Sequence, residues 1–106
     1  MSTAYTYVAD LNQESIPLED GILSHTIHQD DRVKAVLFTF AAGQELSEHT
    51  ASTPAILQFI SGEAKLTLGQ EMLDARPGTF AHMPAGLSHA IQAKTLTVML
   101  LLLLKG

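Results

Sequence analysis

The stretch GTFAHMPAGLSH, residues 78–89, places three residues that control the backbone at fixed distances before a histidine. Gly78 permits the tight turn that enters a short strand, Pro84 ends that strand, and Gly86 allows the positive φ that turns the chain back. His89 then stands at the start of the next segment. The stretch therefore predicts a strand, a sharp reversal and a polar side chain at the beginning of a second strand.

Apolar runs of strand length fill most of the chain around this stretch, and glycine, proline or a polar turn separates them. The predicted strands span residues 21–28, 33–43, 55–61, 64–68, 71–75, 79–83, 88–93 and 96–104. We find no sustained helical periodicity apart from a short turn around residues 10–16. Many short strands with regular turn signals predict an all-β sandwich or barrel.

Composition narrows the functional classes. The chain has 106 residues, of which 46% are hydrophobic and 16% charged, and this predicts one domain over residues 1–106, with residues 1–20 as an extra strand or arm. The net charge of −5, with six scattered basic residues, argues against nucleic acid binding. The absence of cysteine excludes disulfides and thiolate metal ligands.

Targeting signals are also missing from the sequence. The N-terminus has no basic start followed by an apolar core, so we do not interpret it as a signal peptide. The apolar run at 96–104 has about half the length that a membrane-spanning helix needs. We therefore expect a cytoplasmic protein that does not bind a membrane.

Two predicted strands are apolar on both faces, namely VLFTFA at 36–41 and LTVMLLLLL at 96–104. In an isolated two-layer sandwich, one face of each antiparallel strand meets solvent. A second covering layer is therefore expected, and a homodimer packed through these strands is the simplest form of it.

A second set of regularly spaced glycine and histidine residues lies earlier in the chain than residues 78–89. Gly43 precedes His49 with five residues between them, and Gly62 follows. Together the two segments resemble the two motifs of the cupin superfamily, which are small double-stranded β-helix, or jelly-roll, proteins with an RmlC-like barrel. The resemblance covers roughly residues 20–104 and predicts that fold, although the asparagine that usually closes the second motif is replaced by Ala93.

The resemblance also implies a metal site, which this sequence keeps only in part. In complete cupins, three histidines and a glutamate hold a divalent metal, and His49 and His89 fall on two of those positions. Ala51 and Ala55 fall on the other two, and alanine cannot bind a metal. The site is therefore either a weak metal centre or a metal-free pocket with two histidines.

His82 and Gln58 are the available substitutes as ligands. A set of His49, His89, His82 and Gln58 is chemically suitable for Fe, Mn, Ni or Zn. If position 55 faces inward, an unbroken strand turns Gln58 outward, whereas a bulge after the preceding proline would turn it inward. His82 is expected more as a wall or core residue than as a metal ligand.

Other polar side chains receive simpler interpretations. His25 and His28 are separated by an odd number of positions on one strand, so they are expected on opposite faces and not as a chelating pair. Glu45 and Glu48 flank His49, either as partners that orient its ring or, more simply, as solvated charges.

The function that follows is the binding of a small molecule in the barrel mouth, with His49, Gln58, His82 and His89 as the candidate binding residues and a weakly held divalent metal as an open question. Ala51 and Ala55 enlarge the mouth, which suits a small apolar or carboxylate ligand. The alternative is a metal-dependent enzyme of the oxygenase or isomerase type. The residues identify neither the substrate nor a reaction.

Overall fold

Nine strands and one 3-10 turn form the part of the chain that the computed structural model describes, which is residues 4–15 and 19–105. The turn, at Leu11–Glu14, falls where the sequence predicts one. The strands are β1 (Ile22–Gln29), β2 (Val33–Phe40), β3 (Glu45–His49), β4 (Ala55–Ser61), β5 (Ala64–Leu68), β6 (Glu71–Ala75), β7 (Phe80–Met83), β8 (His89–Ala93) and β9 (Thr97–Leu104).

These strands form two antiparallel sheets, one of five strands in the order β1-β2-β9-β4-β7 and one of four in the order β3-β8-β5-β6. Side chains from both sheets meet in one core, in which Leu57 and Phe59 come from the first sheet and Leu66 and Ile91 from the second. Along β4, Ala55, Leu57 and Phe59 enter this core at alternate positions, as expected for facing sheets. The fold is the predicted double-stranded β-helix.

All eight predicted strands are present, and β3 is the strand that the sequence did not predict. Its sequence, ELSEH, contains a single apolar residue, Leu46, which packs against the core. Strand signals depend on alternating apolar residues, and a mostly exposed strand of five residues provides too few of them.

Gly62 lies where two segments come very close. Its φ is +83°, and a Cβ added to it would lie 2.7 Å from the Cα of Thr97 and would also collide with the carbonyl oxygen of Leu96. Only glycine fits at this point, between β4 and the start of β9. The residue therefore allows the β4–β5 turn to pack against the backbone that leads into β9.

The outer faces of the two sheets differ in polarity. On the four-stranded sheet, Lys65 and Asp74 lie opposite each other and form an ion pair at 3.0 Å. On the five-stranded sheet, the outer face carries mostly apolar side chains, among them Ala35, Leu37, Ile56, Phe80, Leu100 and Leu102. This apolar outer face agrees with the sequence, in which the segments that form β2 and β9 are apolar on both faces.

Part of this apolar face lies against the N-terminal segment, which forms no strand within residues 4–15. Its residues and the sheet line an open groove of about 390 Å³, formed by Thr6, Val8, Leu11, Ile27, His28, Ala35 and Leu100. The predicted arm also includes residues 1–3 and 16–18, which lie outside the described residues.

The expectation that His25 and His28 face opposite sides is wrong. The register of β1 shifts by one residue between Thr26 and His28, so that His25 lies opposite Leu37 and His28 lies opposite Ala35. Those two partners are separated by two positions, so both histidines face the outer side of the sheet.

The imidazole of His28 joins the arm to the turn after β1. Its Nδ1 lies 3.0 Å from the hydroxyl of Thr6, and its Nε2 lies 2.8 Å from the Asp30 carboxylate. Both ring nitrogens of His28 thus have partners, which fits a structural role.

Within residues 4–15 and 19–105, no helix is long and apolar enough to cross a membrane.

Candidate functional site

A bulge in β3 places His49 on the inner side of its sheet. Leu46 lies opposite Ile91, and the next pair along the strands is His49 with His89, so β3 advances three residues while β8 advances two. In an unbroken strand, positions 46 and 49 would face opposite sides. The extra residue restores His49 to the face of Leu46, toward the core.

The chain reversal that the sequence predicts places His89 at the start of β8. Gly86 has a φ of +83°, and its N–H donates to the carbonyl oxygen of Ala51 at 2.9 Å. This bond connects the turn before β8 to the segment after β3. His89 begins β8 and is only 5% exposed, whereas His49 is exposed. The pair therefore extends from solvent into the edge of the core.

The two imidazole rings lie next to each other, with centroids 4.1 Å apart and planes inclined by 59°. The Nδ1 of His49 lies 2.8 Å from the Ser47 carbonyl oxygen, and the Nδ1 of His89 lies 2.9 Å from that of Leu87. A carbonyl oxygen only accepts hydrogen bonds, so each Nδ1 carries a proton. In the neutral rings, each Nε2 is then left with a lone pair for a ligand.

These two nitrogens match only half of a complete metal site. A neutral imidazole whose other nitrogen donates to a backbone carbonyl is in the form that binds metals. A first-row metal needs three or four N or O ligands, however, and Ala51 and Ala55 supply none. Among the described residues, no group of three or more His, Asp or Glu side chains could hold a metal. The chain therefore offers two ligands, and any others must come from water or a bound molecule.

The structure does not place Gln58 in the barrel mouth. Ala55, Leu57 and Phe59 are buried in the core without interruption, and the shift in β4 comes only after Phe59. Gln58 therefore points to the outer side of the sheet and is exposed. The alternative of a bulge after the proline is wrong, because the alternation of β4 is unbroken from its first residue.

His82 lies on the same outer face, opposite Ile56, and is exposed. Its neighbours Ala81 and Met83 are the residues of β7 that pack inward. His82 is therefore neither beside His49 and His89 nor a wall of the core. The four predicted binding residues therefore do not form one site. His49 and His89 lie together on the inner side of the four-stranded sheet, and Gln58 and His82 lie on the outer face of the five-stranded sheet.

One polar contact near the histidines was not identified from the sequence. Ser88 donates from its hydroxyl to the Glu48 carboxylate at 2.6 Å, across β3 and β8. Glu48 thus contacts the residue next to His89, whereas the ring of His49 is oriented by a backbone carbonyl. The only signal in the sequence is that both residues immediately precede the motif histidines.

Comparisons with known proteins agree with this fold. The family model described as "Cupin domain" matches residues 36–104, which is more than half of the chain. No curated protein matches the chain at a significant level.

Solved structures show the same fold. A conserved protein of unknown function from Streptococcus pyogenes is 33% identical, with a TM-score of 0.85 over 98% of this chain and 91% of that one. A cupin superfamily protein from Desulfitobacterium hafniense is 29% identical, with a TM-score of 0.87 over 97% and 94%. An RmlC-like cupin from Shewanella frigidimarina, at 15% identity and a TM-score of 0.81 over 98% and 93%, shares the fold alone. From its fold, its motif histidines and the family match, this chain belongs to the cupin superfamily.

Proposed function

We propose that this cupin binds a small molecule at the barrel mouth, with His49 and His89 as its polar contacts. The observation that carries the proposal is the pair of adjacent rings whose Nδ1 atoms are both engaged, which leaves two Nε2 atoms for a ligand. The exposure of His49 gives a ligand access, and the burial of His89 provides a partly desolvated contact. Hydrogen bonds are stronger in such surroundings.

The ligand class follows from the chemistry of the pair. Leu46 and Leu87, which lie near the two histidines in the chain and pack against the core, provide apolar surface there. Neutral imidazoles accept a hydrogen bond from an O–H or N–H group at Nε2, and protonated ones donate to a carboxylate. A small, largely apolar molecule with a carboxyl group satisfies both conditions.

A metal-dependent enzyme of the oxygenase or isomerase type is the second candidate, and the Nδ1 hydrogen bonds favour it. Metal-binding histidines usually donate the other ring N–H to a carbonyl or carboxylate, as both do here. Bound Fe, Mn, Ni or Zn would supply Lewis-acid or redox chemistry with open positions for a substrate. His49 and His89 would be its two protein ligands, held in the correct tautomer by the Ser47 and Leu87 carbonyls.

We also propose that the protein acts as a homodimer through the apolar outer face of the five-stranded sheet. Phe80 on that face is 62% exposed in the single chain. Ile56 and Leu102, which lie opposite each other on the same face, add further apolar surface. The histidine pair lies on the inner side of the other sheet, so dimerisation and ligand binding are compatible.

The test measures metal and ligand binding separately. Untagged protein is incubated with Fe, Mn, Ni or Zn, desalted and analysed for metal content. The chelated protein is then titrated with a panel of small carboxylates, with the melting temperature as the readout. A carboxylate that stabilises the chelated protein supports the first proposal, and near-stoichiometric retained metal supports the second. If no carboxylate stabilises the chelated protein and no metal is retained, both proposals are overturned.

A further inference from the structure

Two matching tripeptides carry the histidine pair, Ser47-Glu48-His49 in β3 and Leu87-Ser88-His89, which leads into β8. In each, the ring Nδ1 donates to the carbonyl oxygen two residues earlier. That carbonyl belongs to the peptide group that leads into the middle residue. The orientation of each ring therefore depends on how its middle residue is held.

The two middle residues are hydrogen-bonded to each other. The Ser88 hydroxyl donates to Glu48 Oε1 at 2.6 Å, a short bond of the charge-assisted kind. Glu48 is exposed and Ser88 is partly exposed, whereas His89 is buried. The bond thus links the two tripeptides on the solvent side of His89.

The bond also lies at the least regular part of β3. The register shift falls between Leu46 and His49, so Glu48 is inside the bulge. A bulge leaves a residue outside the regular ladder of backbone hydrogen bonds and so depends on other contacts to keep one conformation. Glu48 supplies such a contact through its carboxylate.

We infer that the Glu48–Ser88 hydrogen bond is a positioning device that holds both carbonyls in place and thereby keeps His49 and His89 in the Nδ1–H tautomer. Glu48 and Ser88 act only through the two histidines and touch no ligand. The inference about the tautomer stands on the structure alone, and its effect on affinity rests on the proposed function.

The tautomer is tested by ¹⁵N NMR of the imidazole nitrogens, at a pH high enough to keep the rings neutral. S88A removes one oxygen atom and E48A removes the acceptor, and we expect both rings in each variant to change from one tautomer to a mixture. S88T and E48Q keep a donor and an acceptor and should behave like the wild type. D74A, which breaks the ion pair with Lys65 on the same sheet, is the matched control and should leave both rings unchanged.

The double variant separates a shared bond from two independent effects. If one bond holds both rings, E48A/S88A disturbs the tautomers no more than either single variant. Unchanged tautomers in S88A and E48A would overturn the inference. A change confined to the ring beside the substituted residue would overturn it as well.

Affinity for Ni²⁺ or Zn²⁺, measured by calorimetry, provides the functional readout. Loss of a partner that orients a metal ligand typically weakens binding by about 10- to 100-fold, and we expect about tenfold in S88A because Ser88 acts one step further from the metal. S88T and D74A should retain the wild-type affinity. If the wild type binds neither ion, the metal-dependent proposal fails for nickel and zinc, while the NMR result still decides the role of the bond.

Discussion

His49 and His89 lie directly opposite each other on β3 and β8, with ring centroids 4.1 Å apart, although forty residues separate them in the sequence. Two local features produce this contact. The bulge in β3 turns His49 inward, and the reversal at Pro84–Gly86 starts β8 with His89. Each histidine is therefore positioned by a departure from regular strand geometry.

The first prediction concerns the location of the binding site. H49A and H89A should each abolish metal retention and the stabilisation by a carboxylate ligand, because each removes one of the two available Nε2 atoms. H82A is the matched control, since His82 is an exposed histidine on the outer face. Metal content and melting temperature provide the readouts. Loss of binding in H82A with retention in H49A would contradict this location.

The second prediction concerns the close contact at Gly62. G62A should lower the free energy of unfolding by about 3 kcal/mol, of which about 1–2 kcal/mol come from the positive φ and about 1–3 kcal/mol from overlap with neighbouring backbone. G43A is the matched control. Gly43 has a φ of +84°, but an added Cβ would meet nothing within 4 Å.

Urea unfolding of the two glycine variants separates the two contributions. G43A should lose only the cost of the backbone conformation, about 1–2 kcal/mol. Equal losses in G62A and G43A would show that the contact with Leu96 and Thr97 relaxes at no cost, contrary to the expectation.

The third prediction tests the proposed homodimer. F80D should weaken self-association at least about tenfold, because burial of a phenylalanine side chain contributes about 1.5–3 kcal/mol and a buried carboxylate is unfavourable. Met72 is 68% exposed on the outer face of the other sheet, so M72D is the control. Sedimentation equilibrium gives the dissociation constants. A monomeric wild-type protein at micromolar concentration would refute the dimer itself.

The fourth prediction concerns acid stability. Hydrogen bonds from the His28 ring and from the N–H groups of Arg32 and Val33 lower the pKa of Asp30 to about 2. The stabilisation from this carboxylate is present above its unfolded pKa, near 3.8, and is lost as the pH falls toward about 2. D30N should therefore be less stable than the wild type at neutral pH, and this difference should shrink between about pH 4 and pH 2.

Urea unfolding at several pH values provides the measurement for Asp30. D31N changes the same charge one residue further along and serves as the control. A difference between D30N and the wild type that stays constant down to about pH 2 would contradict the role of the ionised carboxylate.

Much of the fold was predictable from the sequence because its signals are local. Apolar runs between glycine, proline and polar turns located eight strands, and residues 78–89 predicted the reversal before His89. The turn at 29–32 was also predictable, because an aspartate such as Asp30 accepts hydrogen bonds from backbone N–H groups two and three residues later. β3 escaped prediction because four of its five residues are polar.

The candidate site was predictable only in part. His49 and His89 were identified by their positions in the two motifs, and the structure brings them together. Gln58 and His82 were grouped with them, yet both point away from the core. Regular alternation in β4 and β7 turns them outward, and the sequence alone did not establish that these strands lack an early bulge.

The sequence by itself determined where eight of the nine described strands lie, where the chain reverses before His89 and which residues stand on the two motif positions. The tertiary structure decided which side chains share a face. His25 and His28 lie on one face because a bulge in β1 shifts the alternation of that strand by one residue. His49 lies on the same face as His89 because a bulge in β3 does the same. Whether a bulge forms depends on the pairing of a strand with its neighbours, and that pairing is set by residues far away in the chain.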